Sequence, residues 1–242
     1  MIDTALVLFA KYPEPGKVKT RLKQGRVPPL GVLDDEQCAS LYRAFLLDYV
    51  RRLRGTDDVL GVTPFFCLRP GASIETFQES FGQGAIEVIE EPTFEGQRAS
   101  DIGEAMSFTI RHFLGAGFRR VLILGTDLPH LPLSVLTEAR ALLLKHPLVI
   151  GDDGGGCYLV GASAPPVVLE GGLIRWSQGE DFQAIQRAQA ERGETVGLLS
   201  EVLQDVDTAD DLVRFVDMLR AQEALRREVT ETVAVLERWG VL

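Results

Sequence analysis

The stretch that most constrains this chain is Arg119–Pro129, RRVLILGTDLP. Val121, Leu122, Ile123 and Leu124 form an unbroken apolar run. A run of that length, apolar on both faces, suits a strand of a parallel sheet covered by helices on either side. Gly125 ends the run, Asp127 follows, and Pro129 and Pro132 stop the strand from continuing. In open α/β sheets, ligands sit beyond the carboxyl ends of the strands. A carboxylate delivered there, on a turn braced by Gly and Pro, is placed to hold a hard cation such as Mg²⁺ or Mn²⁺. The alternative is a turn Asp that bonds only its own backbone.

Thr4–Ala10 reads as a first buried strand, and the loop after it carries the second signal. Four of the five lysines, Lys11, Lys17, Lys19 and Lys23, lie there with Arg21 and Arg26, and Glu14 is the sole acid between Lys11 and Arg26. In a chain of net charge −10, this is either an anion site or a solvated basic loop. Pro13, Pro15 and Gly16 shape the backbone so that amides can approach phosphate oxygens. A P-loop is excluded, because Val18 stands where Ser or Thr should bind magnesium and Lys11 where the first Gly is required.

The remaining pattern alternates strands and helices. Asp34 and Asp35 sit at N-cap positions of a helix reaching Leu53. Leu60–Leu68 is β-rich, with Pro64 arguing for a bulge or a place near an edge, and Ala85–Ile89 is a short strand. Ser100 or Asp101 caps a helix through Met106, Ile110 and Phe113, which gives Asp101 a structural reading beside any chemical one. Pro132 at N1 opens the next helix, and Leu148–Ile150 and Cys157–Val160 are strands flanking the Gly-rich turn Gly151–Gly156. There Asp152 and Asp153 can orient sugar hydroxyls or share a metal, and the glycines, Gly155 among them, admit close approach of a ligand, unless this is a plain tight turn. Asp181–Arg192 is helical and Val196–Leu199 strand-like. Thr208 and Asp211 form a capping box before Leu212, Phe215, Val216 and Leu219, which places Asp207 just outside a helix and on one side of an extended segment with Asp205. Val229, Val233 and Leu236 pack on the domain or on a second copy in a homodimer.

At 242 residues one large domain, 1–242, accommodates all of this. Its acidity argues against a nucleic-acid partner. Cys38, Cys67 and Cys157 form no CxxC pair, which agrees with a reducing cytoplasm, and no stretch is long enough for a membrane span.

With these residues in hand, the chain resembles the bacterial DUF2064-type proteins of the glycosyltransferase A, or nucleotide-diphospho-sugar transferase, superfamily. The opening FAKYPEPGKVKTRL, Gln97 with Asp101-Ile102-Gly103, Gly125-Thr126-Asp127-Leu128-Pro129, and Asp205-Val206-Asp207-Thr208 with Asp211-Leu212 carry the likeness. Two elements depart from it. Gly154 stands for the Asp of an Asp-Gly-Gly element, with Asp153 as a shifted substitute and Cys157 in place of an aromatic; Trp176-Ser177 is followed by Gln178 in place of Thr.

The resemblance implies a three-layer α/β/α sandwich on a mostly parallel, Rossmann-like sheet. It implies a nucleotide-binding half at about 1–130, an acceptor half at about 131–212 and C-terminal helices from about 208. It places a nucleotide or nucleotide-sugar donor on Lys11, Gly16, Lys17, Lys19, Arg21, Gln97 and Gly103, and a divalent cation on Asp127 and Asp207. Catalytic work falls to Asp127, with Asp153 or Asp101 as base, and an acceptor meets Asp152, Gly155 and Trp176. Sugar transfer is the expected reaction, nucleotidyl transfer the alternative, and binding without turnover the third possibility.

Overall fold

A computed structural model describes residues 3–82, 86–176 and 179–242. One seven-stranded sheet runs through them in the order β3-β2-β1-β4-β6-β5-β7. The strands are β1 (Thr4–Ala10), β2 (Val62–Leu68), β3 (Glu87–Glu90), β4 (Arg120–Gly125), β5 (Leu148–Asp152), β6 (Cys157–Ala162) and β7 (Val196–Leu198). β6 is antiparallel to both neighbours, and every other pairing is parallel. The RVLILG run is the central β4, with Val121 to Leu124 all buried. β2 is not an edge strand, since β1 and β3 flank it; β3 pairs only from Phe65 onward, so Pro64 lies where that flank is open. Ala85, expected to open β3, and Ser177 and Gln178 of the altered Trp-Ser-Thr element lie outside the described residues.

Helices cover both faces. One apolar cluster joins the sheet to α1 (Asp35–Leu53), α4 (Ser134–Leu142), α6 (Ala209–Ala221) and α8 (Thr230–Arg238). The other joins it to α3 (Ile102–Gly115) and α5 (Asp181–Glu191). Short α2 (Ile74–Phe77) and α7 (Glu223–Glu228) complete the set. The caps follow the local chemistry. Asp34 and Gln37 form a capping box on α1, Asp101 accepts from the Glu104 amide on α3, and Thr208 and Asp211 box the start of α6. α4 begins two residues after Pro132, because Pro132 and Leu133 instead accept the tight-turn bonds of Val135 and Leu136. Val229, Val233 and Leu236 are buried in the domain's own core, so that face is not left open to a second copy.

α8 lacks a side-chain cap of its own. Asp48 of α1, fully buried, supplies it by accepting from the Glu231 and Thr232 amides and the Thr232 hydroxyl at 2.7–3.0 Å. Asp48→Ala would leave these buried donors unpaired, and we expect a loss of about 2–4 kcal/mol in urea unfolding, with α8 detaching first in hydrogen exchange. A loss under about 0.5 kcal/mol would show that water replaces the carboxylate.

Candidate active site

The connectivity locates the site. β1 pairs with β2 on one side and β4 on the other, so the chain leaves β1 in one direction and returns beside it from the other. Loops leaving the carboxyl ends of such neighbours diverge and open a crevice. A cavity of about 370 Å³ lies there, lined by Lys11, Lys17, Lys19 and Arg21 after β1 and by Thr126 and Asp127 after β4, with Asp207 alongside.

Lys19 is its electrostatic centre. Its side chain is 3% exposed, and its ammonium lies 2.5 Å from Asp127 Oδ1 and 2.9 Å from Asp207 Oδ1. It also donates to the Val206 carbonyl at 2.8 Å and stands 5.7–5.9 Å from the Tyr42 and Phe45 ring centres. Burial pulls its pKa down, but the two carboxylates outweigh burial and the net shift is upward. Lys19 has φ 49°, in the left-handed region that non-glycine residues seldom occupy. The ion pairs thus hold the backbone in a disfavoured conformation at the site. Arg21 adds a second cation on Asp207, at 2.8 Å.

The two loops are tied by groups that the sequence did not single out. Tyr42 of α1 accepts from the Lys11 amide at 3.1 Å and shares a 2.8 Å bond with the Thr126 hydroxyl, which donates to the Phe9 carbonyl. Burial pushes the Tyr42 hydroxyl up to about 12, so it remains a neutral hydrogen-bonding post. Two helical turns onward, Tyr49 donates to the Leu128 carbonyl at 2.6 Å. The Val206 amide donates to the Asp127 carbonyl and brings the segment before α6 against the exit of β4. Asp207 lines the main cavity and Asp205 a second cavity with His130, yet Asp205 lies near enough that, after burial, the charges of Asp127 and Asp207 help raise its pKa to about 7.

Other expected site residues lie outside the lining. Gly16 forms a turn at φ 78° just before Lys17, itself a lining residue, whose exposed ammonium pairs with Glu14 at 3.0 Å. Gln97 closes a small main-chain bridge with Phe94. A Cβ at Gly103 would run into the Trp176 indole and the Leu169 carbonyl, so this glycine serves close packing of Trp176. Asp152 accepts from the Gly154 and Gly155 amides at 2.8–2.9 Å, and Asp153 from Gly156 at 2.6 Å, closing the glycine turn from within. Gly155 meets the Gly179 carbonyl, so the close approach it permits is to the protein's own chain. Asp153 is half-buried, and burial with nearby Asp152, Asp181 and Asp207 raises its pKa. Cys157 and Tyr158 carry the lining to the base of this turn, and Cys67, Arg69, Glu91, Ile102 and Met106 extend it past β2 and β3. The signal for Arg69 and Glu91 is their position just after strand ends, which becomes visible only once the strand order is known.

The donor set suits a hard cation. Asp127 and Asp207 converge on one point, where the Lys19 ammonium stands in for a cation. Among the described residues no group of three or more His, Cys, Asp or Glu side chains could hold a metal ion. Two carboxylates completed by phosphate oxygens are a usual set for Mg²⁺.

His130, 9% exposed, borders the second cavity of about 280 Å³, tilted on Phe215 with its Nδ1 unpartnered among the described residues. Burial, helped by Arg52, lowers its pKa from 6.5 to about 4. Between those values the unfolded chain binds a proton that the folded one refuses. Stability is therefore complete above pH 6.5 and falls as pH drops towards 4, by roughly 2–3 kcal/mol. Urea unfolding at pH 7 and pH 4.5 should show this component vanish in His130→Leu; an unchanged difference between the two pH values would assign it elsewhere.

Comparison with known proteins agrees with this architecture. The model of a family described as "Uncharacterized protein conserved in bacteria (DUF2064)" matches residues 62–178. No curated protein matches the chain. A solved structure of a proposed nucleotide-diphospho-sugar transferase from Desulfovibrio desulfuricans is 26% identical, covers 99% of each chain and superposes with a TM-score of 0.78. Two more distant structures share the fold. A cytidylyltransferase from Leptospira borgpetersenii has 10% identity, covers 98% of this chain and 95% of its own, and has a TM-score of 0.55. A Methanothermobacter nucleotidyl transferase has 13% identity, covers 90% and 99%, and has a TM-score of 0.51. The chain therefore has the α/β fold of nucleotide-diphospho-sugar transferases and nucleotidyltransferases. Among the described residues no helix is long and apolar enough to cross a membrane.

Proposed function

We propose that this chain, matched by the DUF2064 model, is a nucleotide-dependent transferase that moves a sugar from a nucleotide-sugar donor to an acceptor hydroxyl. The observation that carries this is the meeting of the β1 basic loop with Asp127 and Asp207 in one cavity at the switch point of the sheet. The likeness to the Desulfovibrio protein favours sugar transfer over other chemistries of the fold.

Bond breaking builds negative charge on the departing diphosphate. Lys11, Lys17 and Arg21 face the cavity and can take those oxygens, each well-placed donor being worth a few kcal/mol. Asp127 and Asp207 would hold a divalent cation, which when bound supplies Lewis-acid neutralisation of phosphate charge. Lys19 keeps the two carboxylates together without the nucleotide. All three candidate bases have an oxygen committed to a backbone amide, Asp101 as a cap and Asp152 and Asp153 in the turn. Asp153, whose pKa is raised by burial, is the better proton acceptor for an acceptor hydroxyl. Nucleotidyl transfer is the second reading, favoured by the number of cations on one loop, which suits a departing pyrophosphate.

A thermal-shift screen of nucleoside diphosphates and sugar nucleotides, with and without Mn²⁺ or Mg²⁺, tests the binding reading. Stabilisation that needs both nucleotide and metal is expected, and none with any nucleotide would end it. Diphosphate release from a sugar nucleotide, against pyrophosphate release from a triphosphate, then separates the two chemistries. Asp153→Asn should lower turnover while leaving nucleotide binding intact.

A further inference from the structure

The main cavity contains one carboxylate whose surroundings within the protein do not account for it. Glu91 follows β3 directly, and its amide donates to the Leu68 carbonyl at 2.8 Å, fixing it beside the end of β2. Its side chain is 8% exposed and lines the cavity. Arg69 is its only ion-pair partner among the described residues, 63% exposed and 4.0 Å away, too far for a hydrogen bond. No hydrogen-bond donor among the described residues reaches the carboxylate. The carboxylate is thus open to the cavity, where a donor from a bound ligand can take the place of water.

Position says which part of a ligand arrives there. The phosphate-binding cations follow β1, and Glu91 lies two strand positions away, about 10 Å at ordinary strand spacing. A nucleotide with its phosphates at the β1 loop and its nucleoside across the exits of β2 and β3 brings its base to Glu91. Resting on the nucleotide reading above, we propose that Glu91 reads the base and that the nucleotide is a guanine nucleotide. Guanine alone among the common bases presents two adjacent donors, N1–H and the N2 amino group, which a carboxylate accepts in parallel. Adenine and cytosine set a ring acceptor beside their amino group, and uracil flanks its single N–H with two carbonyl oxygens. Either pattern turns a lone pair against the carboxylate. Burial already raises the Glu91 pKa, and paired donors favour its charged form.

Titration calorimetry with GDP, ADP, CDP and UDP, each with Mg²⁺, tests this on the wild-type protein and on Glu91→Gln. GDP should bind at least tenfold more tightly than the other three. Glu91→Gln, whose amide N–H₂ opposes one guanine donor, should weaken GDP at least tenfold and leave the others within about threefold. Equal binding of all four by the wild type overturns the inference, as does equal weakening of all four by Glu91→Gln, the result of a carboxylate on the ribose. Either result leaves the nucleotide reading standing. Failure of all four to bind overturns that reading and this inference with it.

Discussion

Lys19→Met should lower stability by about 2–3 kcal/mol, or roughly 5–10 °C in melting temperature for a chain of this size. The variant keeps the length and apolar stem of the side chain and removes its charge together with the hydrogen bond to the Val206 carbonyl. Asp127 and Asp207 would then face each other across a gap that the ammonium now fills at 2.5 and 2.9 Å. Breaking a buried ion pair costs more than this, but the carboxylates are 37% and 25% exposed, so water recovers part of the loss. Lys17→Met is the control: its pair with Glu14 is exposed on both sides and should be worth less than about 0.5 kcal/mol. Mn²⁺ should restore stability to Lys19→Met more than it adds to the wild type, since a metal would replace the missing positive charge. A Lys19→Met melting temperature within 1 °C of wild type, measured without metal, would mean that the carboxylates do not depend on the ammonium.

The second large effect concerns turnover. Asp127→Asn keeps the shape and an oxygen that can accept from Lys19, but loses the charge that a cation needs. We expect at least a hundredfold fall in turnover, the size seen when one electrostatic stabiliser is removed, together with loss of the metal-dependent part of nucleotide stabilisation. The metal-free melting temperature should move by only a few degrees, because the Tyr42–Thr126 and Tyr49–Leu128 ties remain. Wild-type turnover in Asp127→Asn would remove residue 127 from the chemistry, whatever its place in the cavity.

Much of the fold was legible before any coordinates. The apolar run at Val121–Leu124 announced a strand buried on both faces because no side of it could meet water. Asp34, Asp101 and Thr208 announced helix starts because short acceptors at N-caps satisfy amides that the helix leaves open. The site was legible in part. A cationic loop and an acidic loop, each after a buried strand, are local patterns, but whether they meet depends on which strands are neighbours, and local pattern does not contain that.

The sequence by itself determined the elements, their caps and the alternation that makes a covered parallel sheet, since each follows from the chemistry of residues close in the chain. Tertiary structure decided the rest. Placing β1 between β2 and β4 sets Lys19 on Asp127, 108 positions away in the chain, and carries Glu91 to the far end of the same cavity. It also packs Gly103 against Trp176 and Gly155 against the Gly179 carbonyl, because the space beside a glycine belongs to whichever segment folds against it.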